Sequence, residues 1–110
     1  MQIASRHLDK ITIFDVTGDI DLATSPELRK SLLRELRELH TPRVVLNLTS
    51  VRYIDSSGVA SLVESLKASR DAGGRFIMFG LNTTVRQVLQ LSKLVRVFEI
   101  YDNEEQAVAP

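Results

Sequence analysis

Val51-Arg52-Tyr53-Ile54-Asp55-Ser56-Ser57-Gly58 is the stretch on which the fold turns. It closes a polar loop and opens onto Val59, Leu62, Val63 and Leu66, apolar positions spaced as one face of a helix. Asp55-Ser56-Ser57-Gly58 therefore reads as a helix N-terminus, where backbone N–H groups lack intrahelical acceptors and the dipole end is positive. A serine there is the first place in this chain at which a phosphate or a partner would be received.

Working outward, residues 43–48 (Arg-Val-Val-Leu-Asn-Leu) form a β-rich apolar run that suits a central strand covered on both faces, begun after Thr41-Pro42 stops the preceding helix. That helix opens at Ser25-Pro26-Glu27, with Ser25 as its cap and proline in its first turn. Leu28, Leu32, Leu36 and Leu39 give it an apolar stripe; Arg29, Lys30, Arg34, Glu35, Arg37 and Glu38 give it a solvated face. Residues 2–6 and 11–17 are short and rich in β-formers, which predicts an antiparallel hairpin across Leu8-Asp9-Lys10. The acidic segment Gly18-Asp19-Ile20-Asp21-Leu22-Ala23-Thr24 joins hairpin to helix.

Downstream, a helix over about residues 57–71 buries Val59, Leu62, Val63 and Leu66, turns Lys67, Arg70 and Asp71 to water, and ends at Ala72-Gly73-Gly74. A strand at 76–79 follows. Asn82 caps a third helix carrying Val85, Val88, Leu89 and Leu91, residues 97–101 form a last strand, and Asp102-Asn103-Glu104-Glu105 starts a short terminal helix. Strands alternating with helices imply right-handed crossovers and parallel neighbours. The expected fold is α/β: a mixed sheet with an N-terminal antiparallel hairpin, then parallel strands, and helices packed mainly on one face.

Composition bounds function. A chain of 110 residues, 44% hydrophobic, fits a single domain over residues 1–110. Lysine plus arginine and aspartate plus glutamate each total 14, so no global attraction to nucleic acid or an anionic membrane is expected. The absence of cysteine removes thiolate chemistry and disulfides and fits a reducing compartment. No segment approaches the roughly 20 apolar residues of a membrane span, and the first residues lack a signal peptide's apolar stretch, which together predict a cytoplasmic protein.

Asp55 and the serines have an ordinary structural explanation, since both residue types cap helices and Gly58 eases a tight turn. As a nucleophile, a serine here would need a base. Only His7 and His40 exist, on the first strand and at a helix end, and the G-x-S-x-G leading glycine is missing, so catalysis is not expected. No Walker lysine-serine pair follows a glycine loop, and Asp19 with Asp21 lacks an evident third ligand, so neither cofactor nor metal is expected. A third possibility makes Ser56 a substrate. A phosphoserine carries about −1.5 to −2 charges and would stand beside Asp55 and the Asp19–Asp21 turn.

At these residues the chain resembles the STAS domain family, specifically stand-alone anti-sigma factor antagonists. The match runs through Thr17-Gly18-Asp19-Ile20-Asp21 with Thr24, Val45-Leu46-Asn47-Leu48 leading to Tyr53-Ile54-Asp55-Ser56-Ser57-Gly58, and Ala72-Gly73-Gly74. The resemblance implies that Ser56 is phosphorylated by a serine kinase that is also the anti-sigma factor. The unmodified protein binds that kinase and frees the sigma factor, and a serine phosphatase resets it. It also implies that Asp21, Thr24, Ser57 and Gly58 lie in or beside the contact surface; Asp19 and Asp55 are added to the expected partner-binding residues on charge, as acidic groups that a partner docked over this helix start would meet. Direct nucleic-acid binding and membrane insertion are not expected. Val59-Ala60-Ser61-Leu62-Val63-Glu64 also resembles STAS proteins that serve as cytoplasmic subunits of ABC-type lipid transport systems, the alternative reading.

Overall fold

In the computed structural model, which describes residues 1–110, β1 (Gln2–Leu8) and β2 (Ile11–Thr17) pair antiparallel, from Gln2 opposite Thr17 to Leu8 opposite Ile11. Asp9 turns the chain at a φ of 55°, in the left-handed region that aspartate tolerates better than most residues. Leu8 thus belongs to the strand, and the connection is shorter than the sequence implied. The later strands β3 (Arg43–Ser50), β4 (Arg75–Phe79) and β5 (Glu99–Tyr101) continue the sheet in parallel, in the order β1-β2-β3-β4-β5. Helices α1 (Ser25–Leu33), α2 (Ser56–Asp71) and α3 (Thr83–Leu91) bridge the three parallel steps, and α4 (Glu104–Val108) follows β5. This is the mixed α/β architecture expected.

The main core lies under α1, α2 and α3, where 21 buried residues form one cluster that joins Phe14, Leu46 and Met78 of the sheet to Leu28, Leu62 and Leu89 of the helices. The opposite face buries Ile13, Val45, Ile77 and Phe79 against Ala107 of the short α4. Burial on both faces explains why β3 reads Val-Val-Leu without alternation. Around that small cluster the second face is polar. Arg6 grips Asp15 with bonds of 2.6 and 2.8 Å and reaches Glu104 of α4 at 2.5 Å, while Asn47 donates to Asp15 at 2.8 Å. All three ion-pair partners are partly solvated, so the pairs orient α4 more than they stabilise it.

Several local expectations are corrected. The leucine stripe of the first helix does not run to Leu39, which is 55% exposed, whereas Glu35 is buried. A π-turn at Arg34–Glu38, closed by Leu39 N–H on the Arg34 carbonyl at 3.0 Å, inserts an extra residue and rotates Leu39 off the core face. Glu35 is satisfied there by the Thr41 hydroxyl, which donates to its carboxylate at 2.5 Å. Leu91 stands 86% exposed because Val85 and Leu89 define the buried side of α3. Ser25 lies inside α1 rather than capping it; Thr24 holds the cap position. Within the Asp102-Asn103-Glu104-Glu105 start, Asn103 is the residue that caps α4, accepting from Gln106 N–H at 2.9 Å. The last strand is confined to Glu99–Tyr101, since pairing with β4 covers only that span.

Candidate functional site

Past the end of β3 the chain runs alongside the acidic turn. Ile20 N–H donates to the Tyr53 carbonyl at 2.9 Å and Asp55 N–H to the Ile20 carbonyl at 3.0 Å, forming a one-rung parallel bridge between Ile20 and Ile54. Both isoleucines are fully buried, so the bridge is anchored from below by apolar packing. Gly58 permits this arrangement. A Cβ there would come 2.6 Å from Ile54 Cγ1, 2.8 Å from Ile20 Cγ2 and 3.0 Å from the Ile20 carbonyl. Glycine lets the first turn of α2 settle directly on the bridge and draws the two predicted segments into one surface.

Asp55 is the N-cap. Its Oδ1 accepts Ser57 N–H at 3.0 Å, Gly58 N–H at 3.1 Å and the Ser57 hydroxyl at 2.5 Å; its Oδ2 accepts Leu22 N–H at 3.0 Å. The Ser57 hydroxyl, followed by the Gly58, Leu22 and Ser57 N–H groups, holds the carboxyl below the usual carboxylate range, against the desolvation that opposes it. One side chain thus starts the helix and clasps the acidic turn. The turn is closed on itself as well. Asp21 Oδ1 accepts from Ala23 and Thr24 N–H at 3.0 and 3.1 Å, and the Thr24 hydroxyl accepts from Asp21 N–H at 2.9 Å while donating to the Asp19 carbonyl at 2.8 Å. The Asp21 carboxylate is committed to organising backbone.

The two serines part company here. Ser57 is half-buried, bound to Asp55 and in contact with the Ser25 hydroxyl at 3.3 Å. Ser56, the first helical residue, is exposed, and the capping bonds bypass it for Ser57 and Gly58. The helix therefore begins one residue earlier than expected, with Ser56 beside the cap rather than serving as it. Asp19, Asp21 and Asp55 surround this end with negative charge, and the cation brought to them is Arg52, 3.6 Å from Asp19. His7 pairs with Thr12 on the sheet, and His40 precedes β3, so both imidazoles belong to the end of the sheet away from Ser56.

All seven sequence-predicted residues, Asp19, Asp21, Thr24, Asp55, Ser56, Ser57 and Gly58, come to one end of the sheet. Sequence reasoning missed Leu22, whose amide is tied to Asp55 while its side chain is 77% exposed, and Ser25, which backs Ser57. Nothing in the spacing announces Leu22. The adjacent acidic residues mask it as an ordinary turn position.

The family profile described as the STAS domain matches residues 2–107. The anti-sigma F factor antagonist of Paenibacillus polymyxa is 28% identical over 108 residues, covering 98% of this chain and 92% of that protein. A crystal structure of a Thermotoga maritima protein assigned as an anti-sigma factor antagonist superposes with a TM-score of 0.90 at 26% identity, over 96% of this chain and 90% of that one. The Bacillus cell fate determinant SpoIIAA in its phosphorylated form shares the fold, with a TM-score of 0.76 at 19% identity over 96% and 94% of the two chains. On the match to residues 2–107, the chain belongs to the STAS domain family.

Proposed function

We propose that this STAS protein is an anti-sigma factor antagonist that binds an anti-sigma factor serine kinase while Ser56 is unmodified and releases it once Ser56 is phosphorylated. A serine phosphatase restores the binding form, and the exchange takes place in the cytoplasm without direct contact to nucleic acid. The observation that carries this reading is the division between the serines: the Ser57 hydroxyl is committed to Asp55, whereas Ser56 is exposed and outside the cap. The relative named an anti-sigma F factor antagonist and the fold neighbour solved in a phosphorylated form support it.

The signs of the charges account for a switch. Phosphate on Ser56 adds about −1.5 to −2 charges beside Asp55 and the acidic turn. Within the chain, the helix dipole offsets part of this, about 0.3 to 1 kcal/mol. Across an interface no such offset operates, and like charges or broken polar contacts cost about 2 to 5 kcal/mol. The fold tolerates what the complex does not.

The test is to incubate the protein with ATP and its candidate kinase and to map the phosphopeptides. Modification of wild type and of Ser57→Ala at Ser56, and none in Ser56→Ala, is expected. Modification at another residue contradicts the reading. Stable recovery of an ABC ATPase from cells, unaffected by Ser56→Ala, would instead assign the chain to a lipid transport system.

A further inference from the structure

The sheet ends in two unlike edges. At one side β5 is three residues long, and a strand that short offers little to pair with. At the other, β1 is seven residues long, matched to β2 without a bulge, free of proline, and exposed at every residue except the partly buried Ile3. Folded proteins ordinarily guard such an edge with a charge, a proline, a bulge or a covering element. Arg6, the one charged side chain of β1 besides the imidazole of His7, does not guard it, because Asp15 and Glu104 draw its guanidinium back over the sheet. Asp9 and Lys10 lie in the turn beyond the strand's end.

That turn fixes which backbone groups the edge offers. Asp9 and Lys10 are the whole of the loop, so the flanking pair Leu8 and Ile11 exchanges both of its N–H···O bonds. By alternation Gln2, Ala4, Arg6 and Leu8 direct their N–H and C=O groups to β2, while Ile3, Ser5 and His7 turn theirs outward. The three outward residues are symmetric about Ser5. Two copies related by a two-fold axis through Ser5 therefore match Ser5 with Ser5 and Ile3 with His7 in about six main-chain bonds, and any other antiparallel register makes fewer. In that register Leu8, which is 50% exposed, lies opposite Gln2, and Arg6 lies opposite Ala4. The two Arg6 side chains stand on the diagonal, each already held by two carboxylates, and a net charge of zero gives the copies no overall repulsion.

We propose that β1 is an interface between copies of this chain, pairing antiparallel with β1 of a second copy about Ser5 to make one continuous sheet. β1 supplies none of the residues around Ser56, so this contact is separate from the switch. Pairing of one strand buries less than the roughly 1,600 Å² of a standard interface, so the dimer is a weak one.

Sedimentation equilibrium of the purified protein from about 10 μM to about 1 mM should show a monomer–dimer equilibrium. Hydrogen exchange followed by NMR should show the Ile3, Ser5 and His7 amides gaining protection as concentration rises, with Ala4 and Arg6 protected throughout. Ser5→Pro deletes an outward N–H, a change an edge strand tolerates, and should weaken the dimer about tenfold or more. Ser5→Glu and Ser5→Lys each set like charges on the axis and should weaken it about fivefold or more, whereas their equimolar mixture should dimerise at least as tightly as wild type. A monomer throughout that concentration range, a dimer undiminished by these variants, or a Glu–Lys mixture no tighter than either variant alone overturns the proposal.

Discussion

Asp55 holds the Ser57 hydroxyl at 2.5 Å, a charge-assisted bond that takes one of two adjacent serines out of circulation. Removing each hydroxyl should therefore have different consequences. Ser57→Ala should lose about 1 to 2 kcal/mol of stability in urea unfolding, and Ser56→Ala should stay within about 0.5 kcal/mol of wild type. Equal losses for the two variants would contradict the division of labour between them.

Gly58→Ala sets helix propensity against packing. Alanine would gain up to about 1 kcal/mol as a helix former. However, its Cβ would sit 2.6 Å from Ile54 Cγ1 and 3.0 Å from the Ile20 carbonyl, distances that require the bridge itself to shift. Overpacking of this kind costs about 1 to 3 kcal/mol, so a net loss of stability is expected in thermal or urea melts. Amide exchange should rise at Ile20 and Asp55, whose N–H groups make the rung.

Acid should loosen the site in a defined direction. The Asp55 carboxyl is held below its ordinary range by the Ser57 hydroxyl, and Asp15 is held below its own chiefly by Arg6. Both folded values lie under the unfolded one of about 3.9. The stability they contribute is thus fully present above about pH 4 and is lost as pH falls through the depressed folded values. Urea midpoints measured from about pH 5 downward should fall, and Asp15→Asn with Asp55→Asn should flatten that decline.

On the second face of the sheet, burial should outweigh ion pairing. Glu104→Gln removes a partly solvated partner of Arg6 and should cost no more than about 1 kcal/mol. Ala107→Asp places a carboxylate at a position that is 1% exposed, against Ile13, Val45, Ile77 and Phe79. It should cost about 3 kcal/mol or more, and limited proteolysis should cut near α4 in that variant and spare Glu104→Gln.

Much of this was legible in the chain itself. Strand, helix and parallel order followed from periodicity and from punctuation at Pro42, Gly73 and Asn82, because those signals are local. The Asp55-Ser56-Ser57-Gly58 helix start was legible for the same reason. What the sequence hid depends on distant neighbours. Gly58 reads as a turn residue until Ile20 is found against it, and the contrast between Ser56 and Ser57 needs the direction of one carboxylate. Leu39 and Glu35 were misplaced because a π-turn changes the helical period without any marker residue.

The most direct test of the central claim is the affinity of the purified kinase for the protein phosphorylated at Ser56, against the unmodified protein, by titration calorimetry at fixed ionic strength. Loss of at least about 30-fold, corresponding to about 2 kcal/mol, with an unchanged urea midpoint is the predicted result. Equal affinity for the two forms, or a loss accompanied by unfolding, would contradict it.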